Sequence, residues 1–312
     1  MRSRFWFSEL INLNPFSDNL NSVTEKFVLG TVQIGLPYGR KAGSHLCTEN
    51  HAEELLQAAW ELGVRVFDTA LGYGVSISRL ANWLKNSNRL GSSSIVTKIP
   101  PEYYNNKNKV IKAVEPFFGA LSITVLTHGF VNSKHWEIFQ KIVTEIGCYS
   151  GQSVYTAEEL AAAIRLGANL IQAPGNILDS RQITMGKEKK QKMDIRSVFL
   201  QGVLLDPPAV ANSRAPGMGP IVEGIQICAQ RAGLSTSEAL IGLMLQEIEP
   251  GWRIVLGADN SDEVRQWANC FGKEKEIEHF YRLVKNFYEG DIPEALLDPR
   301  CWPQMKEKAG VK

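Results

Sequence analysis

Four ionisable residues carry the strongest hint of chemistry in this chain: Asp68, Tyr73, Lys98 and His128. Together they suit the reduction of a carbonyl. Hydride attack turns a C=O into an alkoxide, which needs a proton and electrostatic stabilisation. Tyr73 can give the proton. An unperturbed phenol ionises near about pH 10, so a Lys98 ammonium beside it, itself held by Asp68, is expected to draw that value toward working pH. His128 can donate a hydrogen bond to the substrate oxygen and orient it. Singly, each residue has a plainer use. Asp68 can cap a helix, Tyr73 between Gly72 and Gly74 can be a turn aromatic, and His128 can be a satisfied core histidine. Lys98, just before Pro100-Pro101, is harder to explain without a partner. Their joint placement is what favours function.

That placement follows from the elements around them. From Lys26 onward short β-rich runs alternate with amphipathic ones, the pattern of parallel strands joined by helices. Expected strands are Phe27–Leu29 ending at Gly30, Val64–Phe67 ending at Asp68, Ser94–Thr97 ending at Lys98, and Ser122–Thr127 ending at His128. Gly147–Ser153, Leu170–Gln172, Ile195–Phe199 and Arg253–Leu256 complete the set. Helices are expected from Thr48 to Gly63, over Ile77–Leu84, Lys109–Phe118, Trp136–Ile146, Thr156–Leu166 and Asp262–Phe271, with Thr156 and Glu159 placed for a capping box. Eight strand-helix units in one chain give an α/β protein of the (β/α)8 barrel class, in which active sites gather at the C-terminal strand ends. Asp206–Pro220, rich in proline and glycine, reads as a long loop beside the site. Phe280, Tyr281, Phe287 and Tyr288 are expected to pack the last segment on the barrel.

Composition narrows the partners. With 34 Lys and Arg against 33 Asp and Glu, the net charge of +1 gives no field for nucleic acid or a membrane surface, and a small-molecule carbonyl substrate is the expected partner. Five scattered cysteines with no C-x-x-C pair argue against a zinc site and a disulfide framework, and for a reducing cytoplasm. No metal ligand set is expected. Arg2 and Arg4 precede Phe5-Trp6-Phe7, but Glu9, Asn12, Asn14 and Asp18 interrupt the apolar run, so residues 1–24 read as an extension and 25–312 as the barrel.

The motifs themselves resemble those of the aldo-keto reductases, and of their bacterial-type subgroup. Leu29-Gly30-Thr31 with Gly35-Leu36-Pro37-Tyr38-Gly39, Phe67-Asp68-Thr69-Ala70 with Tyr73-Gly74 and Ser76, and Arg196-Ser197-Val198-Phe199-Leu200-Gln201-Gly202 carry the likeness. It implies an NADP(H)- or NAD(H)-dependent carbonyl reductase on a (β/α)8 barrel, with Asp68, Tyr73, Lys98 and His128 as its catalytic tetrad. It also implies cofactor contacts at Gly30, Thr31, Asp68, Ser153, Gln172, Phe199, Leu200, Gln201, Gly202, Gly257, Asn260 and Glu263. Val154 and Gly175 depart from the family's usual asparagine and aromatic. Sugar-derived carbonyls are the substrates the subgroup points to, with Gln33, Trp136 or the Asp206–Pro220 segment as possible contacts.

Gly257–Glu263 lies where the resemblance puts the adenosine ribose and its 2′-phosphate, yet Asp259, Asp262 and Glu263 would repel that phosphate unless Arg253, Arg265 or a distant lysine reaches in. Weakened discrimination for NADPH, extending to a preference for NADH, is therefore expected from these residues, while the family's habit points to NADPH, and both cofactors stay open. Two other readings stay open: a nicotinamide-binding redox sensor or regulatory subunit without catalysis, and a barrel that uses Lys98 as a Schiff-base aldolase amine or His128 as a metal ligand, the latter without a second histidine or carboxylate at ligand spacing.

Overall fold

The computed structural model describes residues 25–41, 45–287 and 292–303. The expected extension over 1–24 and Tyr288 lie outside them. Eight parallel strands pair in chain order and close on themselves: β1 (Phe27–Gly30), β2 (Val66–Ala70), β3 (Ser94–Ile99), β4 (Ser122–Thr127), β5 (Tyr149–Ser153), β6 (Leu170–Pro174), β7 (Met193–Arg196) and β8 (Arg253–Leu256). The (β/α)8 barrel expected from the alternating pattern is the observed fold. Among the described residues, no helix is long and apolar enough to cross a membrane.

Helices start where their caps stand. Thr48 accepts from the His51 amide ahead of Glu49–Glu61, and Thr156 forms the expected capping box with Glu159 ahead of Ala157–Arg165. The outer faces of the strands supply the core against this ring of helices. Phe67, Ile95, Val125, Ile171 and Ile195 are all fully buried there.

Inward residues, two apart along each strand, build the barrel interior in layers. Between β7 and β8 Asp194 accepts two hydrogen bonds from the Arg253 guanidinium, at 2.7 and 2.8 Å. Val66, Val96, Leu126 and Leu170 form a separate apolar cluster. Gly151 makes room for it, because a Cβ there would lie 2.5 Å from Leu126 Cδ2 and 2.3 Å from the Leu170 carbonyl oxygen. One step further along the same faces come Asp68, Lys98 and Gln172, all buried.

Some boundaries differ from expectation. β2 runs on through Asp68 to Ala70, so Asp68 is a strand residue and caps no helix. β7 stops at Arg196, because Ser197 adopts φ +65 and Leu200, Gln201 and Gly202 follow with φ +47, +55 and +84. Asp206–Pro220 is no long loop: Pro208–Arg214 is a helix and Met218–Arg231 begins another. A proline in the first helical turn needs no donated N–H and fits there without loss. In the closing helix Glu274–Phe287, Ile277 and Phe280 are fully buried, Tyr281 packs on the core, and Phe287 is half-exposed with its ring against Gly224.

Candidate active site

A cavity of about 370 Å³ opens at the C-terminal strand ends, and Asp68, Tyr73, Lys98 and His128 all line it. Lys98 Nζ donates to both carboxylate oxygens of Asp68 at 2.6 Å, with lysine and aspartate each under 5% exposed. Such a pair persists in the interior only because each charge satisfies the other. Gln172 Nε2 adds a third bond to Asp68, 2.8 Å long. A Schiff-base amine must be unprotonated and reachable; an ammonium clasped by both oxygens of a buried carboxylate is poorly suited to that role.

Tyr73 sits above this pair. Its ring centroid is 5.3 Å from Lys98 Nζ and 6.3 Å from the His128 ring, which it meets edge-on at 89°. The residue is placed by two loops in close backbone contact. A Cβ on Gly35 would fall 1.9 Å from the Tyr73 carbonyl oxygen, and Gly74, at φ +56, leaves no room for one against the Gly35 oxygen. Thr31 locks the same junction, donating to the Asp68 carbonyl at 2.9 Å and sharing a 2.6 Å bond with Ser76 Oγ.

The electrostatics correct one expectation. Burial, and then the Asp68 charge, push the Tyr73 phenol well above its ordinary value of 10.0. Arg196 pulls the other way without offsetting them, so the phenol is not drawn toward working pH. Burial, with Lys98 and Arg196 nearby, lowers His128 below its ordinary 6.5. At neutral pH the site therefore presents a protonated phenol and a neutral imidazole over a closed ion pair.

Of the expected cofactor contacts, Gly30, Ser153, Gln172, Phe199, Gln201, Gly202, Gly257 and Glu263 line the cavity with Asp68. Thr31, Leu200 and Asn260 do not. Thr31 is spent on the Tyr73 loop, Leu200 is buried in the core, and Asn260 caps helix Ser261–Gln266 by accepting from the Glu263 amide. Among the suggested substrate contacts Gln33 reaches the cavity, whereas Trp136 is buried and donates to the Leu166 carbonyl. Asp206 is likewise buried, held by Arg214. Arg253 lies at the barrel's other end, and Arg265 pairs with Asp262. Among the described residues Arg40 reaches the acidic loop, 3.1 Å from Glu263.

Tyr38, Arg40, Tyr155, Arg196 and Trp267 also line the cavity and were not identified as site residues from the sequence. Arg196 was within reach of the rule that found the tetrad, an ionisable residue at a strand end. Extending β7 to Phe199 hid it.

The fold is shared with solved aldo-keto reductases. An aldo-keto reductase crystallised with NADPH superposes with a TM-score of 0.63 at 15% identity, over 88% of this chain and 88% of that one. The aldose reductase of Giardia lamblia gives 0.61 at 11% identity, over 87% and 96%. An aldo-keto reductase from a Medee basin deep-sea metagenome library gives 0.58 at 15%, over 86% and 92%. At such identities the likeness is one of fold. No protein-family model matches the sequence, and no curated protein does.

Proposed function

We propose that this chain is an NAD(P)H-dependent aldo-keto reductase that converts an aldehyde or ketone to an alcohol, with Tyr73 as the proton donor. The observation that carries this reading is the Lys98–Asp68 pair buried beneath Tyr73 and beside His128 in one cavity. The four side chains come from three neighbouring strands and have complementary roles. His128, held neutral, donates to the carbonyl oxygen and orients it. Tyr73, held protonated, passes its proton to that oxygen as negative charge develops. The Lys98 ammonium faces the phenolate left behind, and Asp68 keeps that ammonium in place.

A nicotinamide cofactor, when bound, supplies the hydride. The cavity fits such a group. Gln172 Oε1 is buried without a hydrogen-bond partner, and buried Ser153 lines the wall with it, so an acceptor and a hydroxyl are on hand for a carboxamide. Gly30, Gly202 and Gly257 line the same wall. Near the acidic loop Arg265 is engaged by Asp262 and Arg40 by Glu263, and Glu263 also accepts from the Asp259 amide at 2.8 Å. We therefore expect NADH to bind at least as tightly as NADPH; titration showing NADPH bound more than about tenfold tighter would refute this. Cys148, Cys228 and Cys270, buried as free thiols, suit a reducing cytoplasm.

The test is cofactor oxidation at 340 nm with 4-nitrobenzaldehyde across pH. His128 is pushed below 6.5 and stays neutral above it; Tyr73 is pushed above 10.0 and stays protonated below it. kcat/KM is thus expected to be flat between about pH 7 and 9. A break inside that window contradicts the assigned protonation states, and cofactor binding without turnover of any aldehyde favours the sensor or regulatory-subunit reading.

A further inference from the structure

Arg196 is the last residue of β7, one inward position beyond Asp194, which pairs with Gln172. Its guanidinium lines the cavity. Nη2 donates to the Val154 carbonyl at 2.9 Å and Nη1 to Ser197 Oγ at 3.2 Å, while Cζ stands 4.4 Å from the centroid of the Tyr155 ring. Five N–H groups are available on a guanidinium, so these two bonds leave donors unspent.

Charge bookkeeping singles this residue out. Arg40 pairs with Glu263, Arg214 with Asp206, Arg253 with Asp194 and Arg300 with Asp298. Arg196 makes no salt bridge among the described residues. A carboxylate that senses its charge from outside the tetrad, Asp298, is chelated by Arg300 Nε and Nη2 at 2.6–3.0 Å. Asp68 and Lys98 cancel each other. Among the described residues, this end of the cavity therefore carries one uncompensated positive charge, partly withdrawn from water, where a guanidinium is costly without a counter-ion. The charge acts on Tyr38, Tyr73 and His128 alike, which puts it at the carbonyl end and not at the Glu263 end that Arg40 serves.

We infer that Arg196 receives an anionic oxygen group of the substrate, so that the site selects aldehydes or ketones bearing a carboxylate or a like oxyanion. The inference rests on the reductase reading for the word substrate, but not for the anion site itself. A planar carboxylate matches the fork of donors a guanidinium offers and would be fixed beside the phenol and imidazole that act on the carbonyl.

The experiment separates the two. Benzoate and its neutral isostere benzamide are titrated into the whole protein, with and without saturating NADPH, for wild type, Arg196→Gln and Arg196→Lys. Wild type is expected to prefer benzoate by about 10- to 100-fold, with NADPH present or absent, as a charge-assisted hydrogen-bond pair gives. Arg196→Gln is expected to abolish the preference and Arg196→Lys to restore part of it. A preference that survives in Arg196→Gln overturns the inference. So does expulsion of benzoate by NADPH together with a tenfold weaker NADPH affinity in Arg196→Gln, which would assign the cation to a cofactor phosphate. In turnover, 4-formylbenzoate is expected to exceed methyl 4-formylbenzoate in kcat/KM through KM, with the ratio lost in Arg196→Gln. An equal fall for both aldehydes marks a structural role only and overturns the inference. If benzoate binds as expected and neither aldehyde is reduced, the anion site stands and the reductase reading fails.

Discussion

Tyr73→Phe is expected to lower kcat by about 10³-fold or more while leaving the affinity for NADPH and NADH within about threefold of wild type. Only the hydroxyl is removed, and no protein hydrogen bond depends on it among the described residues, so the ring keeps its contacts with His128 and Lys98. The Gly35–Gly74 junction that places the residue is backbone against backbone and is untouched. The loss is therefore expected in the chemical step: stopped-flow binding of cofactor stays normal and the single-turnover rate collapses. A variant retaining more than about a tenth of wild-type kcat would remove Tyr73 from the role of proton donor.

Lys98→Met is expected to cost both activity and about 3–5 kcal/mol of stability, because it leaves the Asp68 carboxylate buried with only Gln172 as a donor. The two losses have different origins, and a second variant separates them. Lys98→Met combined with Asp68→Leu removes both charges and is expected to recover most of the stability, since an apolar pair of similar volume can replace a buried ion pair at little cost. Activity stays lost, because neither the ammonium nor its anchor remains beneath Tyr73. Urea unfolding gives the stability and the rate of cofactor oxidation the activity. Recovery of turnover in the double variant would mean that the pair serves only the fold.

Much of this arrangement was legible in the sequence because strands carry their signal in single residues. Ser122–Thr127 and Arg253–Leu256 have the expected bounds, and the period of two along the strands puts Asp68, Lys98 and Gln172, all buried, on the inward face. What was hidden is equally specific. Nothing in Ser197-Val198-Phe199 announces a positive φ at Ser197, so β7 was extended and Arg196 passed for a strand interior. Helix Thr236–Glu247 is buried from Ala239 through Leu245 and shows no polar face, so helical periodicity does not mark it. Its Ser235–Glu238 capping box was the available sign. The direction of the Tyr73 shift was also out of reach, since it depends on burial and on the nearby Asp68 charge.

Transfer of label tests the central claim most directly. NADPH or NADH carrying deuterium at C4 of the dihydronicotinamide, on one face or the other, is incubated with the protein and 4-nitrobenzaldehyde, and the alcohol is analysed for deuterium at its benzylic carbon. The account predicts that label from one face alone appears on that carbon, and that Tyr73→Phe slows its appearance without changing the face. Alcohol formed without label from either face, or no alcohol from a protein that binds the cofactor, would contradict it.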